Sequence, residues 1–190
     1  TGVMALVVVL SVYNGFDSLT RNLLSSIDAD LKVTLVEGKT FSDTLPQLDE
    51  LRKHPSIAVF SEVLEENAIF RYNRRQHVGT LKGVSQNYAE QTGLDSMMLD
   101  GTFQLWRGSQ PLAVIGRGVA YYLEASLAHF DPIGIYMPRR GKLPTFSTAS
   151  ALTTKMIMPS GVFGVEQDFD SQYIITPIEF VRELLNYQTE

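Results

Sequence analysis

Hydrophobic positions along this chain follow two different rules. At the start, Val3–Leu10 is an unbroken apolar run, Ser11-Val12-Tyr13-Asn14-Gly15-Phe16 follows directly, and no charge precedes Asp17. Beyond it, apolar residues recur only at helical or strand spacing. A bilayer-spanning helix needs roughly 20 mostly apolar residues, and this run supplies about half. It also lacks the basic front and small-residue cleavage site of a signal peptide. An apolar run without a polar face that passes through Tyr13 and Phe16 into an amphipathic stretch reads as the end of a transmembrane helix leaving lipid through an aromatic belt. Val3, Met4, Leu6, Val7, Val8, Val9, Leu10 and Val12 are then the membrane-embedded positions. The competing use of the same run is a strand or helix buried in a soluble core.

Helical spacing of Phe16, Leu19, Leu23, Leu24 and Ile27 carries this first helix to about Ser26. Leu31–Leu35 alternates as a half-buried strand does and ends at Gly38. Asp43 or Thr44 is placed to cap a second helix, with Pro46 in its first turn and Leu45, Leu48 and Leu51 along its length. Strands are expected at Ile57–Val63, Asn67–Tyr72 and His77–Val84, the last two joined by a turn at 73–76. Gly93–Gly101 reads as a loop holding Met97, Met98 and Leu99, a cluster whose methionines could adapt to an irregular apolar ligand, with core packing as the competing use. A hairpin across Gly108-Ser109-Gln110 joins Phe103–Arg107 to Leu112–Gly116, and a helix follows over Gly118–Leu127. Short strands are expected at Ile133–Met137, Lys155–Met158 (turned by Pro159-Ser160-Gly161) and Tyr173–Ile175. Thr176 with Glu179 forms a capping box, and Pro177 sits in the first turn of the last helix. The pattern predicts an α+β fold.

Composition narrows the function classes. At 190 residues the chain can bury a core of one domain or two small ones. A net charge of −5 with scattered Lys and Arg gives no nucleic-acid footprint. The absence of cysteine excludes disulfides, thiolate metal sites, cysteine nucleophiles and a lipid-attachment cysteine. His54, His77 and His129 stand apart from one another without metal-ligand spacing. His54 beside Pro55 fits electrostatic capping of its helix. Gly116-Arg117-Gly118 lies between a strand and a helix but lacks a third glycine at Tyr121, so it reads as a tight turn and not a phosphate loop. Pro159-Ser160-Gly161 lacks the nucleophile-elbow pattern. Asp49-Glu50 and Glu65-Glu66 read as solvated faces. The sequence therefore offers no catalytic constellation, no cofactor site and no metal site.

The opening motif, Gly2-Val3-Met4-Ala5-Leu6 followed by Val9–Phe16, resembles the end of the first transmembrane helix in lipoprotein-releasing (LolC/LolE-like) ABC transporter permeases. Their superfamily also holds the macrolide-efflux and division permeases. Asp28–Leu31, Lys82-Gly83-Val84, Val114-Ile115-Gly116 and the Pro138–Pro144 segment extend the resemblance loosely along the chain. It implies residues 1–16 as the helix end, residues 17–93 and 171–190 as a membrane-proximal α+β subdomain made from both ends, and residues 94–170 as an inserted mostly-β subdomain. It also implies an extracytoplasmic, periplasmic-side location at the bacterial inner (plasma) membrane. The expected function is non-catalytic: to receive lipoprotein or hydrophobic cargo or hand it to a carrier. An adaptor-docking domain of an efflux permease and a signal-transmitting scaffold for a cell-wall hydrolase are the alternatives. Implied partners are an ATP-binding subunit on a separate chain, a second permease copy or paralogue, and a periplasmic lipoprotein carrier or adaptor.

In the resembled family a protruding hairpin docks the carrier, at the place corresponding to Tyr136–Ala151. Pro138, Gly141, Leu143 and Pro144 carry that pattern here. Arg139, Arg140 and Lys142 add charge to it, and Leu143 and Phe146 add apolar surface. A surface loop without a partner is the alternative for this segment.

Overall fold

The computed structural model describes residues 2–25, 29, 31–35, 45–129, 131–138 and 152–185. Helix α1 spans Gly2–Ser25, close to the expected extent. Residues 31–35 are not a strand: Leu31, Val33 and Leu35 are exposed, and alternation without a neighbouring ladder leaves backbone groups to water. Helix α2, Pro46–Arg52, starts with proline in its first turn and buries Leu48. Its expected cap at Asp43 or Thr44 lies outside the described residues.

Strands β1 (Val63–Tyr72) and β2 (Arg75–Val84) pair along their whole length around the two-residue turn Asn73-Arg74. Residues 57–62, expected to be strand, remain outside the ladder, and the Glu62 N–H goes to the Ser85 hydroxyl at 3.0 Å. The expected loop after Gly93 is ordered into regular pieces. Helix α3 (Tyr88–Thr92) ends at Gly93, whose φ of 62° suits glycine, and a 3-10 turn leads into β3 (Met98–Gly101). The expected hairpin forms as β4 (Trp106–Arg107) and β5 (Gln110–Gly116). Helix α4 (Arg117–Leu123), β6 (Ile133–Pro138), β7 (Leu152–Phe163), α5 (Gln167–Gln172), β8 (Tyr173–Pro177) and α6 (Ile178–Leu185) complete an α+β fold.

Two local expectations change. Pro159-Ser160-Gly161 continues β7 instead of turning it: the register with β5 steps from Ala113↔Pro159 to Val114↔Gly161, leaving Ser160 as a bulge. Its Oγ lies 2.7 Å from the Gln104 carbonyl and 3.1 Å from that of Ala113, which absorbs the extra residue. Thr176 lies within β8, fully buried, with no hydrogen-bond partner for Oγ1, so the capping box does not form. The β2–β8 ladder holds Thr176 opposite Gly83 and thereby outweighs a cap.

The eight strands among the described residues join one sheet in the order β3-β7-β6-β1-β2-β8-β5-β4, and β7 also pairs with β5. Leu152–Ile157 of β7 lies against β6, while Met158–Phe163 lies against β5. Pairing therefore returns to its start through β7, β6, β1, β2, β8 and β5. Strands from within residues 94–170 are hydrogen-bonded directly to strands from both flanks, as in β6–β1 and β5–β8. Successive residues on β5 serve two cores: Ala113 and Ile115 pack with Phe70, Ile135 and Val181, and Val114 packs with Leu94, Leu105 and Phe163. Ile174 and Ile175 of β8 divide in the same way, as period-two geometry requires.

Candidate functional site

The β6–β7 ladder positions the segment singled out for docking. Its register runs to Pro138↔Leu152, so residues 139–151 connect the ends of two antiparallel strands. Arg139, Arg140, Lys142, Leu143, Pro144 and Phe146 lie outside the described residues. Pro138 is exposed at the end of β6.

Helix α1 provides the second expected site. Val3, Met4, Leu6, Val7, Val8, Val9, Leu10 and Val12 are between 50% and 79% exposed, so nothing described in this chain covers them. No helix among the described residues is long and apolar enough to cross a membrane.

Polar groups inside the body are committed to structure. His77 Nε2 lies 2.7 Å from the Ser171 carbonyl, which requires the proton on that nitrogen, and the ring stacks on Tyr122 at 4.9 Å. His54 follows the last turn of α2 and its Nδ1 accepts from the Ser56 N–H at 3.3 Å. His129 lies in a 3-10 turn. No group of three or more His, Cys, Asp or Glu that could hold a metal occurs among the described residues. Asp49 pairs with Arg52 at 3.2 Å.

Gly116 and Gly118 are explained by contact. A Cβ on Gly116 would come 2.1 Å from the Asp170 carbonyl, and one on Gly118 would come 2.6 Å from Ser171 Cα. The strand-to-helix turn thus lets α5 sit directly on backbone. Asp170, with a side chain only 1% exposed, accepts from the N–H groups of Val165 at 2.8 Å and Glu166 at 3.3 Å and lies 3.6 Å from Arg117. Burial raises its pKa above 3.8 against the opposing pull of those N–H groups and of Arg117.

Glu65 is not simply solvated: it meets Lys82 Nζ at 3.1 Å. The Lys82 ammonium lies over the rings of Tyr88, Tyr173 and Phe169 at 5.3, 5.4 and 5.8 Å. Burial pulls its pKa down, yet the charges of Tyr88 and Glu65 and their hydrogen bonds outweigh this and leave it above 10.5. The sequence signal for this cluster is a lysine inside the closed run Thr80–Val84, which period-two reasoning passes over. Tyr121 and Tyr122 on α4 are exposed, and no spacing in the sequence sets them apart from core aromatics. These arrangements bind and brace; none presents a nucleophile beside a base.

A family model described as the MacB-like periplasmic core domain matches residues 1–185. The chain belongs to the MacB-like periplasmic core domain family. This periplasmic core domain is the extracytoplasmic domain of an ABC-type transporter permease, a non-enzymatic part whose family implies ATPase and permease partners. Among solved structures it is similar to the extracellular domain of the noncanonic ABC-type transporter YknZ from Gram-positive bacteria. That similarity has 12% identity and a TM-score of 0.52, covering 77% of this chain and 67% of that one. A domain of a putative permease protein from Porphyromonas gingivalis is similar at 10% identity and a TM-score of 0.42, covering 74% of this chain and 54% of that one. No curated protein matches the sequence.

Proposed function

We propose that this periplasmic core domain serves a lipoprotein-releasing permease of the bacterial inner membrane, where it receives lipoprotein or hydrophobic cargo or passes it to a periplasmic carrier. The observation that carries this reading is the β6–β7 register. Its last pair, Pro138↔Leu152, makes the Pro-bracketed basic segment the connection of an antiparallel pair, which is where the resembled permeases carry their docking hairpin. Prolines restrict the free backbone and lower the entropy lost on binding. Arg139, Arg140 and Lys142 speed encounter with an acidic carrier surface, and Leu143 and Phe146 supply buried contact. In the same reading the first half of α1 lies in lipid, and its uncovered Val3–Val12 surface supports this. The ATPase is a separate chain, and a second permease copy or paralogue completes the transporter.

A photo-crosslinking residue at Leu143 or Phe146, in cells expressing the full transporter, tests the reading. An adduct with a periplasmic lipoprotein carrier is expected, and it should diminish when Arg139 and Arg140 are changed to Glu. An adduct with a membrane-fusion adaptor would assign the domain to efflux, and one with a cell-wall hydrolase would assign it to signalling. No adduct at either position would remove the docking role.

A further inference from the structure

A second surface lies at the other end of the sheet. Strand β6 runs antiparallel to β1, with Arg71↔Gly134 and Ile69↔Tyr136, so the β1–β2 turn lies at the opposite end of the sheet from Pro138. At the β1–β2 end, Tyr72, Asn73, Arg74, Arg75, Leu123 and Glu124 line an open groove between the turn and the end of α4. Tyr121 is 79% exposed and Tyr122 52%, their rings meeting edge to face at 5.8 Å beside this groove. His77 stacks against Tyr122 and fixes its plane.

Arg71, Arg74 and Arg75 gather at this end of a protein of net charge −5. Glu124 pairs with Arg75. Arg71 donates from Nε to the Asn73 carbonyl at 3.3 Å, and neither it nor Arg74 forms an ion pair among the described residues. Arg74 and Arg75 thus line the groove with Arg75 paired to Glu124, while Arg71 lies on the opposite face of β1 from Tyr72 and Asp131 precedes β6 at the same end. Arginine presents a planar fork that matches carboxylates, and tyrosine supplies rigid contact area at low entropic cost. Tyrosine and arginine are the residue types that dominate binding energy at protein interfaces.

We infer that this groove binds an acidic segment of a partner protein, with Arg74 taking its carboxylates and Tyr121 and Tyr122 packing on its backbone and side chains. The surface fits a protein segment better than a lipid surface. Its exposed apolar area is tyrosine, with hydroxyls to keep in water, and the neighbouring aliphatic Leu123 is fully buried and unable to enter hydrocarbon. The inference is independent of cargo and of the β6–β7 connection.

Fluorescence anisotropy of the full chain with a labelled Glu-rich peptide, beside its Gln-for-Glu counterpart, tests it. The Glu-rich peptide should bind at least about tenfold more tightly, and the preference should weaken with salt. Arg74→Glu should abolish that preference, and Tyr121→Ala should weaken binding with the preference kept. Both side chains are exposed, so melting temperatures should match the parent, and circular dichroism confirms the fold of each variant. Equal affinity for the two peptides, or binding unaltered by Arg74→Glu, would overturn the proposal. So would sedimentation with phosphatidylglycerol vesicles that depends on Arg74 while the peptide does not bind.

Discussion

Lys82 shows how a single residue can be both buried and charged. Its side chain is 11% exposed, and a lone ammonium there would be neutralised by its surroundings. Glu65 at 3.1 Å and the three ring faces make the charged form the better tenant. Because the folded pKa lies above 10.5, the contribution is complete below that value and is lost as pH rises through the folded pKa. Lys82→Met keeps the aliphatic stem and removes the charge. It should destabilise the domain by about 1–3 kcal/mol near neutral pH. Urea unfolding at neutral pH and again above pH 10.5 checks this, and the gap between parent and variant should narrow in the alkaline series. Asp170 has the same sign for a different reason, since burial disfavours its charged form. Its pKa is raised by burial, so protonation between 3.8 and its folded value favours the native state.

At the scale of elements, close approach decides more than propensity does. Helices α4 and α5 meet at Gly118, where a Cβ would stand 2.6 Å from Ser171 Cα and 2.8 Å from its N. Gly118→Ala improves helix propensity yet must push backbone apart, so a net loss of about 1–3 kcal/mol is expected by thermal or chemical unfolding. The same contact explains what was legible beforehand. The β1–β2 and β4–β5 hairpins followed from alternation broken by turn residues, since both depend on neighbours in sequence. The strand expected at residues 31–35 and the capping box at Thr176 failed because a distant partner decides each. The first meets no ladder among the described residues, and the second is held in β8 by β2. Of the candidate sites, the segment marked by its prolines and charges falls at residues 139–151, outside the described residues. The Lys82 cluster and the Tyr121–Arg74 surface were not legible, because each is assembled from segments far apart in sequence.

For the whole molecule, the contrast between α1 and the rest carries the functional argument. The sheet buries both faces of β5 and β8, and the large side chains of the two cores are almost wholly excluded from water. On α1, by comparison, Val3, Met4, Leu6, Val7, Val8, Val9, Leu10 and Val12 are each at least 50% exposed. A patch of that character is unfavourable in water and marks an interaction surface. Stability of the body therefore should not depend on it. Removing residues 1–12 should leave the melting temperature within about 2 °C of the parent, since a loss of 1 kcal/mol in a domain of this size corresponds to roughly 2–4 °C. The same deletion should reduce association with detergent micelles or phospholipid vesicles, measured by flotation. Buried core and lipid contact make opposite demands in these two measurements. A large fall in melting temperature with flotation unchanged would assign Val3–Val12 to the core of the domain and remove α1 from the membrane.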